Sequence, residues 1–128
     1  MGLHALVVDD SAVMRTMIIK TLRLSELPVL AVHQAANGEE GLRVLGEERV
    51  DLALVDINMP VMDGEEMTRR LRLAPATAGL PVIVVSTESS EARMQALLAQ
   101  GVRFVRKPFT PEELRDAVEA VMVKGAAA

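Results

Sequence analysis

Leu52-Ala53-Leu54-Val55-Asp56-Ile57-Asn58-Met59-Pro60-Val61-Met62-Asp63-Gly64 decides the fold. Four apolar residues without polar alternation stop at a carboxylate. A loop stiffened by Pro60 comes next, and Asp63-Gly64 opens a helix-like stretch. A run this short and uniformly apolar reads as a strand buried on both faces, the condition of a parallel sheet. The same form recurs twice, and a fourth run keeps its place in the pattern with Arg103 inside it. Ala5-Leu6-Val7-Val8 ends at Asp9-Asp10, and Val82-Ile83-Val84-Val85 ends at Ser86-Thr87. Val102-Arg103-Phe104-Val105 leads to Lys107-Pro108.

Working outward, strand and helix alternate five times without a linker. Strands are predicted near 4–9, 29–35, 51–56, 81–86 and 102–106. Helices are predicted near 11–24, 38–48, 64–73, 89–100 and 111–123. Helix starts are marked in the sequence: Ser11, Asn37 with Glu40, Asp63 with Glu66, and the box Thr110-Pro111-Glu112-Glu113. Gly101 reads as a helix stop, and Gly64 as the means of a tight turn into the third helix. Pro75 and Pro81 bracket the end of that helix and the start of the fourth strand. Pro28 and mixed polarity make the second strand an edge strand. Leu114, Val118, Val121 and Met122 share one face of the last helix and are expected to meet the sheet. Met17, Met67 and Met94 read as core filler. This alternation predicts an α/β fold, a three-layer α/β/α sandwich on a five-stranded parallel sheet.

The 128 residues suffice for one domain with a full core. Half are hydrophobic, which argues against disorder. No apolar run reaches the length of a membrane span, and no signal-peptide pattern opens the chain. Cysteine is absent, so there is no disulfide or thiolate chemistry. A cytoplasmic location is expected. The net charge of −4 and a single aromatic type, two Phe, argue against nucleic-acid binding.

In an open α/β sheet, ligands bind beyond the carboxyl ends of the strands. That rule gathers Asp9, Asp10, Asp56, Ser86, Thr87 and Lys107 at one edge. One such aspartate is commonly a turn former or cap. Three together repel, by roughly 4 kcal/mol per pair at 4 Å and an effective dielectric near 20. Lys107 offsets one charge, and a hard divalent cation such as Mg²⁺ offsets two. A carboxylate can act as a nucleophile toward phosphorus, and phosphoryl transfer needs positioning and charge neutralisation more than covalent machinery. Asp56 suits the nucleophile, Asp9 and Asp10 the metal, and Lys107 and Ser86 the phosphoryl oxygens.

Four segments then carry a resemblance: Val8 to Arg15, Asp56 to Gly64, Val85-Ser86-Thr87-Glu88, and Lys107-Pro108-Phe109-Thr110. In this order and spacing the chain resembles the receiver domains of two-component response regulators, and among them the stand-alone, CheY-like chemotaxis regulators. The resemblance implies a flavodoxin-like strand order of 2-1-3-4-5. It implies Asp56 as phospho-acceptor, Asp10 as a direct Mg²⁺ ligand, Asp9 acting through water, and Asn58 offering its backbone carbonyl. Lys107 takes the role of phosphoryl partner, Ser86 of switch hydroxyl and Phe104 of switch aromatic. Pro108 follows Lys107 in the peptide that is typically cis in this family. Asn58 and Glu88 occupy the positions that tune phosphoryl lifetime, and imply a short one. The implied partners are a histidine kinase, a phosphatase, and a separate output protein docking on the helix 4–strand 5–helix 5 face. Residues 1–124 would form the receiver domain and 125–128 a short tail without an output domain.

Three features depart from the best-known chemotaxis members. Phe104 replaces tyrosine and offers no hydroxyl, the stretch Leu24 to Val29 is slightly longer, and the fourth helix carries Arg93 but no lysine. Other readings of the same chemistry stay open. A phosphorelay intermediate would return the phosphoryl group to a histidine phosphotransfer protein. A Mg²⁺-dependent phosphohydrolase or nuclease commonly wants an acid two residues past the nucleophile, where this chain has Asn58. A nucleotide or flavin binder would want glycines at Asp9-Asp10-Ser11-Ala12. His4 and His33 lack partners for a metal site. Glu39-Glu40 and Arg69-Arg70 read as solvated helix faces.

Overall fold

The computed structural model describes residues 2–87 and 90–127. The elements run β1 (Leu3–Val8), α1 (Ala12–Leu24), β2 (Val29–Ala35), α2 (Gly38–Glu47), β3 (Leu52–Val55), α3 (Gly64–Leu73), β4 (Val82–Ser86), α4 (Glu91–Leu98), β5 (Arg103–Arg106) and α5 (Pro111–Ala127). The strands form one parallel sheet in the order β2-β1-β3-β4-β5. The second strand is an edge strand, as its proline and polarity imply.

The period of two in each strand divides the core. Ala5, Val7, Leu52, Leu54, Ile83 and Val85 face α1 and α5, packing with Ile18, Leu22, Leu114 and Val118. Leu6, Val8, Ala53, Val55, Val82 and Val84 face the other way, against Met67, Leu71 and Leu97 from α3 and α4. Every one of these strand residues is at most 1% exposed. Uniformly apolar runs are needed because both faces are covered. In α5, Leu114, Val118 and Val121 are buried and Met122 packs against the same cluster.

The caps form as spelled. Ser11 accepts from Met14 N, Asn37 from Glu40 N and Asp63 from Glu66 N. Thr110 and Glu113 exchange bonds of 3.2 and 3.1 Å, completing a capping box. Gly101 adopts φ +78 beyond the end of α4 and donates to Leu98 O. The acidic and basic helix faces are only partly free. Glu66 accepts from both Arg69 and Arg70, which hold its carboxyl down at about 2.

Four expectations change. Met67 is core, but Met17 is 54% exposed on α1 and Met94 is half-buried. A helical stripe of methionines does not fix which of them the sheet covers. The fourth helix is shorter than expected, 91–98, because Ser90 caps its start and Ala99 its end. The fifth continues to Ala127, since alanine carries the highest helix propensity and nothing after Lys124 stops it strongly. Gly64 starts α3 without a left-handed φ. Its requirement is space: a Cβ there would stand 2.1 Å from the carbonyl oxygen of Asp56.

Arg72 fastens the distal end of α3. Its guanidinium donates to the carbonyls of Gln100 at 2.7 Å and Leu80 at 2.6 Å, and burial lowers its pKa. This clamp joins α3, the start of β4 and the turn after α4.

Candidate functional site

Parallel strands end on the same side, so β1, β3 and β4 deliver Asp9, Asp56 and Ser86 to one edge. Asp56 N donates to Val8 O at 2.9 Å, and Lys107 N donates to Ser86 O at 3.1 Å. The backbone hydrogen bonds of the sheet thus extend past the strands and set the spacing of the site. Ile57, fully buried, pins the start of the β3–α3 loop.

Asp9, Asp10 and Asp56 each place a carboxylate oxygen within 4.8 Å of the others. Among the described residues this is the group of acids that can hold a metal ion, and neither histidine joins it. Burial is graded: Asp9 is 1% exposed, Asp56 is half-buried and Asp10 is exposed. Asp9 is held twice, by Lys107 Nζ at 3.1 Å and by the backbone N–H of Ser11 at 2.9 Å. Its own carbonyl accepts from Arg15 Nη1 at 2.7 Å, and Arg15 Nε reaches Gln34.

Lys107 Nζ also lies 3.8 Å from Asp56 Oδ1. That oxygen accepts the N–H of Ile57 at 2.9 Å, and the Ser86 hydroxyl donates to the same carboxyl group. Burial raises the pKa of Asp56 above the ordinary carboxylate value. Lys107 opposes that shift, neighbouring Asp9 adds to it, and the bonds from Ser86 and Ile57 lower it. The result is a partly desolvated carboxylate ringed by donors, its charge offset without being quenched, an arrangement in which a carboxylate can act as a nucleophile. The donor set is all oxygen, partly open to solvent and carries excess negative charge, which fits a hard divalent cation such as Mg²⁺.

The structure therefore brings together Asp9, Asp10, Asp56, Ser86 and Lys107. Lys107–Pro108 is cis, as the resemblance implies. Asn58 is exposed at the mouth. Phe104 is half-buried on β5, packing on the α3–α4 side of the sheet. Glu88 lies outside the described residues.

Two features of the mouth were not legible in the sequence. Val61 sits at φ 69 and is 76% exposed, a left-handed conformation that β-branched residues rarely adopt. Arg93 of α4 spans the opening: Nη1 donates to Asn58 Oδ1 at 2.8 Å, Nε to Glu65 Oε1 at 3.1 Å, and Nη2 lies 3.7 Å from Asp63. Asp10, Asn58, Asp63, Glu65 and Arg93 line a cleft of about 730 Å³ there. The lack of lysine on α4 singles out Arg93 in the sequence, but nothing local links it to Asn58.

The sequence matches the response regulator receiver domain family over residues 5–119. It is 38% identical to a chemotaxis protein CheY homolog of Campylobacter jejuni over 94% of this chain and 92% of that protein. Chemotaxis protein CheY1 of Helicobacter pylori is 34% identical over 91% of this chain and 94% of its own. Among solved structures, the chemotaxis response regulator CheY4 of Vibrio cholerae superposes with a TM-score of 0.82 at 33% identity, covering 94% of this chain and 99% of that one.

Proposed function

This chain belongs to the response regulator receiver domain family, and on that premise we propose that it is a phosphorylation-controlled switch of a two-component system. In this reading Asp56 takes a phosphoryl group from the phosphohistidine of a kinase. The carboxylate oxygen forms a bond to phosphorus as the P–N bond breaks, its electron pair returning to the imidazole, which picks up a proton. The observation that carries this reading is the Asp56 carboxyl itself, half-buried and contacted by Lys107, Ser86 and the Ile57 amide.

Each contact has a task. The Ile57 N–H and the neighbouring carboxylates limit the directions from which Asp56 can react. Lys107, now shared between Asp9 and Asp56, would turn to a phosphoryl oxygen. Ser86 would leave the carboxylate for another, and Phe104 would follow by swinging inward. Asp9, Asp10, Asp56 and the backbone carbonyl of Asn58 would hold Mg²⁺, which when bound supplies positive charge against the carboxylates and phosphoryl oxygens.

The readout would be altered affinity of the α4–β5–α5 face for a separate output protein in chemotaxis or another motility circuit. Such a change works only through unequal affinity for the two states. Coverage of the chemotaxis relatives over nearly their full length supports this setting. The protein acts as a switch rather than a turnover enzyme, with a histidine kinase and a phosphatase as partners. Asn58 and Glu88 would keep the phosphorylated state short-lived, and a half-life of hours would refute that part.

The test is incubation with acetyl phosphate and Mg²⁺, followed by intact mass, with Asp56→Asn alongside. One phosphoryl adduct that needs Mg²⁺ and vanishes in the variant is expected. No adduct together with no beryllofluoride binding would sink the proposal.

A further inference from the structure

We infer that Arg93 is a positioning residue that lengthens the life of the phosphorylated state by occupying the acceptor oxygen of Asn58. The inference rests on the phospho-acceptor reading of Asp56 and goes beyond it, because it assigns a role to a residue on a different element, 35 positions from its partner.

Loss of the phosphoryl group is attack by water. A water lone pair bonds to phosphorus, and the P–O bond to Asp56 breaks with its electron pair returning to the carboxylate. Inorganic phosphate departs, and the water's proton passes to a neighbouring acceptor. The attacking water is oriented by whatever acceptor faces it. Asn58 stands two residues past Asp56 on the mouth that Asp10 also lines, so its side-chain oxygen is suited to that task. That oxygen accepts from the Arg93 guanidinium at 2.8 Å. An oxygen already bonded to a cation is a weaker acceptor for a second donor, and a guanidinium has only donors to give in exchange.

The arginine is not a loose surface chain. Its Nε is fixed by Glu65 at 3.1 Å, Nη2 approaches Asp63, and the side chain is 31% exposed. Its contacts with Glu65 and Asp63 at the start of α3 aim Nη1 at Asn58. The planar fork provides this geometry and an ammonium does not.

The experiment is a rate of phosphoryl loss. Parent, Arg93→Met, Asn58→Ala and the double variant are phosphorylated with acetyl phosphate and Mg²⁺. Each is freed of donor by rapid desalting and followed by intact mass. Methionine keeps the stem and drops the fork, and thermal melts confirm that each variant folds. Arg93→Met should lose phosphate at least about threefold faster, the factor that one hydrogen bond of modest net strength commands. In the Asn58→Ala background the same change should leave the rate unaltered, an outcome that a general loosening of α4 does not produce. Unchanged or slower loss in Arg93→Met would overturn the inference. So would an acceleration that persists without the Asn58 amide. Failure of the parent both to take up phosphate and to bind beryllofluoride is a distinct result that overturns the receiver reading and this inference with it.

Discussion

Replacing Lys107 by methionine removes a charge and leaves most of the stem. Its Nζ lies 3.1 Å from Asp9 and 3.8 Å from Asp56, with the three side chains 13%, 2% and 12% exposed. At an effective dielectric near 20 these attractions are about 5 and 4 kcal/mol before any offset. The offsets are the hydration that the ammonium regains on unfolding and the proton that Asp56 can take up instead. What remains is about 3 kcal/mol, the lower end of the cost of removing one partner from a buried pair. For a domain of 128 residues that is a fall in Tm on the order of 10 °C.

The deficit has a signed pH dependence. The folded-state pKa of Asp56 is raised above its ordinary value of 3.8, and Lys107 is one of the influences that restrain it. Between the unfolded and folded values the native state holds more protons than the unfolded one, so stability falls as pH rises through that window. Without Lys107 the folded value climbs further and the window widens. The variant should therefore trail the parent most at pH 7.5 and less at pH 4.5. The assay is urea unfolding in EDTA at both pH values. A deficit below about 1 kcal/mol at pH 7.5, or one of equal size at both, would refute the pairing drawn here.

Three further outcomes are expected. Gly64→Ala should destabilise by about 3 kcal/mol or more, since its Cβ meets backbone rather than a movable side chain; a Tm within a degree or two of the parent would contradict the close approach to Asp56. Val61→Asn should stabilise by about 1 kcal/mol, because asparagine tolerates the left-handed conformation and the exposed valine has little packing to lose; equal or lower stability in urea would count against strain at φ 69. Mg²⁺ should raise Tm by linkage, worth about 2.7 kcal/mol at a hundred times its Kd, and Asp10→Ala should abolish the rise; no shift in the parent would argue against the acidic cluster as a cation site.

The strands were readable because each is a simple object. Leu52 to Val55 has no polar residue to place, so only a doubly covered parallel strand suits it, and the position of Asp56 follows from the rule for strand ends. Ser11, Asn37, Asp63 and Thr110 were readable for a similar reason: a cap answers a local demand for N–H acceptors within three residues. Strand order is a different matter. Alternation alone does not say which neighbour β1 takes, and only the family resemblance implies the order.

The unread features all depend on contacts between residues distant in the chain or on backbone angles. Gly64 looked like a turn glycine because the sequence shows only its chain neighbours, not the Asp56 carbonyl that passes close to it. Met17 and Met67 are both compatible with a buried helical stripe, and only the position of the sheet separates them. Val61 gives no hint of a positive φ, since a valine there runs against preference and is imposed by the loop's two anchors, buried Ile57 and the Asp63 cap. Arg93 is the sharpest case. Among the described residues its oxygen partners are Asn58, Asp63 and Glu65, and none of them points to it in the sequence. Local consistency identifies the carboxylate chemistry of such a site. The residues that close its mouth are supplied by neighbouring elements, where no local demand points to them.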